Sequence, residues 1–247
     1  MKIILAISIA CLSFSVFAKF SHESELSIIQ AGGNTEMETT NLKTTNREQI
    51  GANAATLSGH YTQGQSTTTL DDGTTEKKEN ARNWDIQLRF DHDLSKRIDL
   101  FTAVQYEGDE FSGYKQRENY DLGAKYKLIN TDDLKSNIEL GYRYTTERRT
   151  TRNEENRDIL YFNKGRIYYD IAHNLNKQVS YKFWTEYIPN FTKYKDYQIL
   201  FEPSLSVVMT DIFSLKVSYK GIYDNVPNKE GNKYLDWIYS TSVLAKF

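Results

Sequence analysis

Acid–base or nucleophilic chemistry would centre on a histidine, and the chain has four: His22, His60, His92 and His173. A serine hydrolase needs a serine whose proton a histidine can accept, and a third group that orients the imidazole. His22-Glu23-Ser24 has suggestive spacing, but it stands at the start of the first expected strand, on the side of the short turns. Asp91-His92-Asp93 falls at an expected short turn, where turn geometry accounts for the acids. His173 lies beside another such turn. His60 ends the third expected strand with no neighbour that reads as a nucleophile. Asp109 and Glu110, candidates for an Asp–His protease site, sit among many other loop charges. The expectation is a protein without catalytic residues, with a hydrolase of lipase or protease type as the alternative.

Metal and cofactor chemistry finds no support. The histidines are scattered, and the one cysteine, Cys11, lies in the apolar leader. Asp71-Asp72-Gly73 and Asp132-Asp133 read as turns, since a calcium loop needs more oxygen ligands at regular spacing. A net charge of −2 gives no electrostatic case for nucleic acid.

The larger set of chemistry-bearing residues alternates with apolar ones. Asp85, Arg89, Asp121, Lys125, Glu139, Arg143, Lys164, Arg166, Asp170, Lys182, Glu186, Glu202, Lys216 and Lys220 share the polar face of their segments. Enclosed, charges of both signs must pair with one another or with water, because an isolated buried charge is costly. The plainer expectation is a salt-bridged interior that stiffens the fold. The alternative is a narrow water-lined pore whose charge pattern sets selectivity. Lys164, Lys182, Lys216 and Lys220 would bias such a pore toward anions. Segment 146–158 sets Arg148, Arg149, Arg152 and Arg157 beside Glu147, Glu154, Glu155 and Asp158. It reads as a solvated mixed-charge loop, with lipopolysaccharide phosphates as the other partner its arginines suit.

The elements that must position these residues are strands. In 213–223, Phe213, Leu215, Val217, Tyr219 and Tyr223 oppose Ser214, Lys216, Ser218 and Lys220. The same period-2 pattern recurs in 84–91, 119–128, 137–144 and 179–187, and less cleanly in 98–107, 159–172 and 197–208. Three weaker segments, 23–30, 37–47 and 50–61, and the final segment bring the expected number to twelve. Short turns are expected at 46–49, 93–97, 130–133, 174–177 and 210–212. Longer polar loops are expected at 62–81, 108–116, 146–158, 189–196 and 224–233. Clear segments of about 9–11 residues and alternating loop lengths point to an all-β, up-and-down antiparallel barrel that crosses a membrane. A mean hydropathy of −0.64 agrees, because lipid-facing residues would alternate with polar interior ones. A soluble periplasmic binding barrel is the competing class; it would bury the aromatic face.

Both ends of the chain support secretion to a Gram-negative outer membrane. Residues 1–18 run from Met1-Lys2 through an apolar core to Val16-Phe17-Ala18, the pattern of a cleaved signal peptide, leaving 19–247 as one barrel domain. At the far end Trp237, Tyr239, Thr241, Val243, Ala245 and Phe247 share one face, against Asp236, Ser240, Ser242 and Lys246. A closing strand with a terminal aromatic is the expected signal to the outer-membrane assembly machinery. Membrane lipid and lipopolysaccharide are the other expected partners.

The N-terminal hairpin adds a resemblance. Leu26-Ser27-Ile28-Ile29-Gln30-Ala31-Gly32-Gly33-Asn34-Thr35 leads into Glu38-Thr39-Thr40-Asn41-Leu42, and a later strand carries Leu140-Gly141-Tyr142-Arg143-Tyr144. With the terminal Phe247, this resembles the domain of unknown function 481 family, whose members are labelled salt-induced outer-membrane proteins. The resemblance implies an outer-membrane barrel, structural or weakly selective as a channel, with a link to envelope or osmotic stress. It implies no catalysis. If Phe247 is the assembly signal, its deletion lowers the fraction of heat-modifiable, membrane-inserted protein in cells; unchanged insertion would remove that role.

Overall fold

The computed structural model describes residues 19–31, 35–69, 74–152, 158–227 and 234–247. They form twelve strands: β1 Lys19–Ala31, β2 Thr35–Ile50, β3 Asn53–Thr69, β4 Thr75–Asp93, β5 Ile98–Asp109, β6 Tyr114–Asn130, β7 Leu134–Arg149, β8 Ile159–Asn174, β9 Val179–Pro189, β10 Tyr197–Val208, β11 Phe213–Asp224 and β12 Leu235–Lys246. Each strand pairs with its sequence neighbour, and β12 returns to β1, so the sheet closes into a barrel. No helix occurs among the described residues. The expected leader with Cys11, Gly32 to Asn34 of the first hairpin, Asp71-Asp72-Gly73, and Glu154, Glu155 and Arg157 lie outside the described residues.

Alternation decides which side chains face out. On β4, Trp84, Ile86, Leu88 and Phe90 are all exposed, and Leu122 on β6 reaches 66 %. Such a band of exposed apolar side chains is the surface a barrel presents to lipid. Aromatic rings cluster on it toward the long-loop end. Tyr219 lies 6.0 Å from Phe201 and 5.9 Å from Trp237, and Tyr197 bridges Tyr187 and Tyr223 at 5.9 and 6.0 Å. A third row joins Tyr120, Tyr144 and Tyr161, each step 6.4 Å.

Several boundaries differ from the sequence expectation. The turn expected at 46–49 lies inside β2. The chain turns at Gly51-Ala52 instead, with Gly51 at φ 58°, a left-handed conformation that glycine adopts without steric cost. The polar segment 62–81 is mostly strand, and residues 146–149 extend β7. Strands therefore run from 11 to 19 residues, beyond the expected 9–11. Ladder hydrogen bonds continue past the apolar band, where water solvates the outward face, so a run of Thr, Gln and Ser does not end a strand.

Inside, Phe101 of β5 occupies the space left by two glycines. A Cβ on Gly123 would sit 2.6 Å from Phe101 Cζ and 2.5 Å from the Leu140 carbonyl oxygen; on Gly141 it would sit 3.3 Å from the same Cζ. Phe101 is buried there under the Arg89 guanidinium, 4.2 Å from the ring centroid. Gly123→Ala should lower stability by about 1–3 kcal/mol through this overpacking, seen as a lower urea midpoint in lipid vesicles. A Phe101→Leu background should restore only part of it, because the carbonyl contact remains.

Candidate functional site: the barrel interior

Inward-facing positions on β2 and β4 to β9 carry one continuous ion network. Arg89 reaches Asp91 and Glu139, both at 2.7 Å; Arg47 approaches Asp91 at 3.6 Å. Glu139 also accepts from Arg166 at 2.5 Å, and Arg166 pairs with Glu186. Arg143 holds Asp121 at 2.7 Å and Glu186 at 3.4 Å. Lys125 and Lys127 each bind Asp99 at 2.7 Å and continue to Asp91 and Asp93. The cations Arg47, Arg89, Lys125, Lys127, Arg143 and Arg166 are thus matched by the anions Asp91, Asp93, Asp99, Asp121, Glu139 and Glu186. Such pairing is what makes charge tolerable in an enclosed interior.

Two smaller clusters stand apart. Near the long-loop end Arg117 binds Glu147 at 2.7 Å and Glu107 at 3.1 Å, stacked 3.8 Å over Tyr114. On the opposite wall Lys216 bridges Glu202 at 2.8 Å and Glu25 at 3.1 Å. Asp170 accepts from the Asn137 amide at 3.2 Å. Among the described residues, Lys43, Lys164, Lys182 and Lys220 form no ion pair within 4 Å. Lys164 lies 5.2 Å from the Phe162 ring centroid.

A cavity of about 510 Å³ occupies the interior beside these lysines. It reaches from Glu25, Lys182 and Lys216 to Asp109, Ser112 and Pro227 near the long-loop end, and the stacked rings of Tyr168 and Trp184 form part of its wall. Asp196 lies between β9 and β10. Burial pushes its carboxyl above the usual range, against the pull of Lys164 and of the Asn190 amide that donates to it at 2.9 Å.

The sequence-designated residues Asp85, Arg89, Asp121, Lys125, Glu139, Arg143, Lys164, Arg166, Lys182, Glu186, Lys216 and Lys220 fall on the inward side of their strands. The structure adds Lys43, Asp91, Asp99, Glu107, Arg117 and Glu147. Asp91 is not a turn acid: β4 continues to Asp93, so Asp91 is buried in the network. His60 does not end its strand, because β3 runs to Thr69. It points inward and meets Asp85 at 3.3 Å and Thr62 Oγ1 at 3.0 Å. Thr62 is 1 % exposed and donates to Asn41 at 2.6 Å, so its hydroxyl is inaccessible as a nucleophile. Extending the period-2 pattern beyond the clear segments would have found most of these additions.

The family described as "Protein of unknown function, DUF481" matches residues 24–247. No curated protein matches the chain. Among solved structures, the KdgM porin is 14% identical, with 92% of this chain and 99% of that chain covered and a TM-score of 0.52. The NanC porin is 13% identical, with 92% and 98% covered and a TM-score of 0.51. An outer membrane channel from Pseudomonas putida F1 is 8% identical, with 95% and 97% covered and a TM-score of 0.52. At these identities the likeness is one of fold. These three structures are two porins and a channel.

Glu139 is the carboxylate that two arginines share, so Glu139→Leu would leave Arg89 only Asp91 and Arg166 only Glu186 and Asp121, with the buried network one negative charge short. The expected loss is about 3–5 kcal/mol, measured as a shift in the denaturant midpoint of the vesicle-inserted protein; Glu139→Gln should lose less.

Proposed function

Because the chain belongs to the DUF481 family and has the fold of outer-membrane porins, we propose that it is a Gram-negative outer-membrane barrel passing small solutes with a weak preference for anions. The supporting observation is the contrast inside the barrel. The cations and carboxylates of the network satisfy each other, whereas Lys43, Lys164, Lys182 and Lys220 line the cavity without an ion-pair partner among the described residues. Unmatched cations along a water-accessible path raise the local anion concentration. Twelve strands enclose more room than the eight that side chains fill and less than the sixteen of an open porin, which suits a narrow passage. The mutually paired network stiffens it. Insertion by the outer-membrane assembly machinery, contact with lipopolysaccharide and induction under envelope or osmotic stress belong to the same proposal.

Single-channel recording of the refolded full chain in a planar bilayer tests it. Discrete steps are expected, with a reversal potential under a salt gradient that favours the anion. Lys43→Glu with Lys220→Glu should move that potential toward the cation. A folded, heat-modifiable barrel without steps, or a selectivity blind to these lysines, would overturn it and leave a sealed structural barrel.

A further inference from the structure

The outward wall carries a second arrangement that the channel reading does not use. His22 and Ser24 on β1 share the parity of the exposed Phe20 and Leu26, so they face away from the interior. Across the ladder His22 pairs with Asn46 and Ser24 with Thr44 on β2, whose parity is that of exposed Leu42 and Ile50. His22 therefore stands on the outer wall, on the strand between β2 and β12. Asn46, which reads from sequence as a turn residue, is its cross-strand neighbour.

The side chains form a relay. Ser24 Oγ is 2.9 Å from His22 Nε2, and His22 Nδ1 is 2.7 Å from Asn46 Oδ1. A carbonyl oxygen can only accept, so the proton of the neutral imidazole belongs on Nδ1. Nε2 is then the bare acceptor facing the serine hydroxyl, the tautomer a general base needs. All three side chains are half-buried, which leaves them within reach of a substrate. The contrast with His60 is plain, because its hydroxyl partner is sealed inside.

The surroundings point to the substrate. On the short-turn side of Ser24 lie the exposed rings of Phe20 and Phe247, the latter 5.7 Å from the His22 ring. On the other side lie Leu26, Ile28 and Val243, all exposed. An aromatic fringe below and an aliphatic band above bracket the depth where headgroup meets acyl chain. Two residues along β2 from Asn46, Glu48 opens an apolar groove of about 340 Å³. Ile50, Ala55, Phe90, Leu100 and Leu122 line it across β2 to β6, which suits a hydrocarbon chain.

We propose that Ser24, His22 and Asn46 form an ester-cleaving site on the lipid-facing wall, acting on acyl esters of the leaflet nearest the short turns. Ser24 Oγ adds to the ester carbonyl carbon while its proton passes to His22 Nε2. Asn46 holds the imidazole in place through Nδ1. The Thr44 hydroxyl accepts from Ser24 Oγ at 3.3 Å in the free site, and it can turn its own proton toward the developing oxyanion once the serine proton has passed to His22. Collapse breaks the bond to the alkoxy group, which leaves as an alcohol with the proton from His22. Water then adds to the acyl-serine, gives its proton to His22, and releases the fatty acid as Ser24 recovers its hydrogen.

The test uses the refolded full chain in vesicles of phosphatidylethanolamine and phosphatidylglycerol, with two readouts: fluorophosphonate labelling located by mass spectrometry, and fatty-acid release. Labelling at Ser24 with slow acyl release is expected. Ser24→Ala should abolish both, and His22→Ala should lower the labelling rate by ~10²-fold or more. Asn46→Ala should cause a smaller drop. Heat-modifiable migration confirms that each variant folds, and bilayer recording of Ser24→Ala should match the parent, so this site and the channel fail separately. A folded parent that neither labels nor releases fatty acid above Ser24→Ala overturns the proposal. Labelling at Ser24 that persists undiminished in His22→Ala overturns the relay.

Discussion

Closure of the sheet between β1 and β12 is the constraint on which the rest depends. The two strands pair from Glu23↔Lys246 to Ser27↔Ser242, and His22 and Phe247 exchange backbone hydrogen bonds at 2.9 Å in both directions. Without that seam the sheet would have two edges of unpaired N–H and C=O groups, each costly where no water can satisfy it. With it, every strand has two neighbours and period-2 alternation gives the molecule two chemistries. One face is apolar and ringed with aromatics; the other is polar and enclosed.

Enclosure then governs the interior. The chain sets Arg and Lys against Asp and Glu in matched numbers, and Arg89, Glu139, Arg166 and Glu186 form a single chain of ion pairs within that set. Shared carboxylates place charge at positions where the backbone alone could not fix a side chain. Phe101 and the facing glycines Gly123 and Gly141 belong to the same packing, since the ring supports Arg89 at 4.2 Å and Arg166 at 5.4 Å. Lys43, Lys164, Lys182 and Lys220, on β2, β8, β9 and β11, line the cavity outside this network and form no ion pair within 4 Å among the described residues.

Much of this was legible in the residues. Trp84 to Phe90 against Asp85 and Arg89, or Phe213 to Tyr219 against Lys216, assigns faces by alternation alone. The number of strands and the side of the short turns follow from the same pattern. Ends were less legible. The β2–β3 turn was expected four residues early, because Asn46 and Arg47 resemble turn residues and Gly51 is the only local sign of the true bend. Asp91 and His60 were misread for one reason: both sit near an assumed strand end that the ladder in fact passes.

The sequence by itself determined the period-2 alternation, the closed antiparallel barrel it implies, and the polar identity of the inward residues. These depend on neighbours one and two positions away along a strand. Which charges meet, and which lysines do not, was decided only by tertiary structure. Arg89 and Glu139 lie three strands apart, and their contact depends on the register and curvature of the whole sheet. The same holds for the outward wall: His22-Glu23-Ser24 can be read from the chain, but Asn46 joins it only through the β1–β2 register.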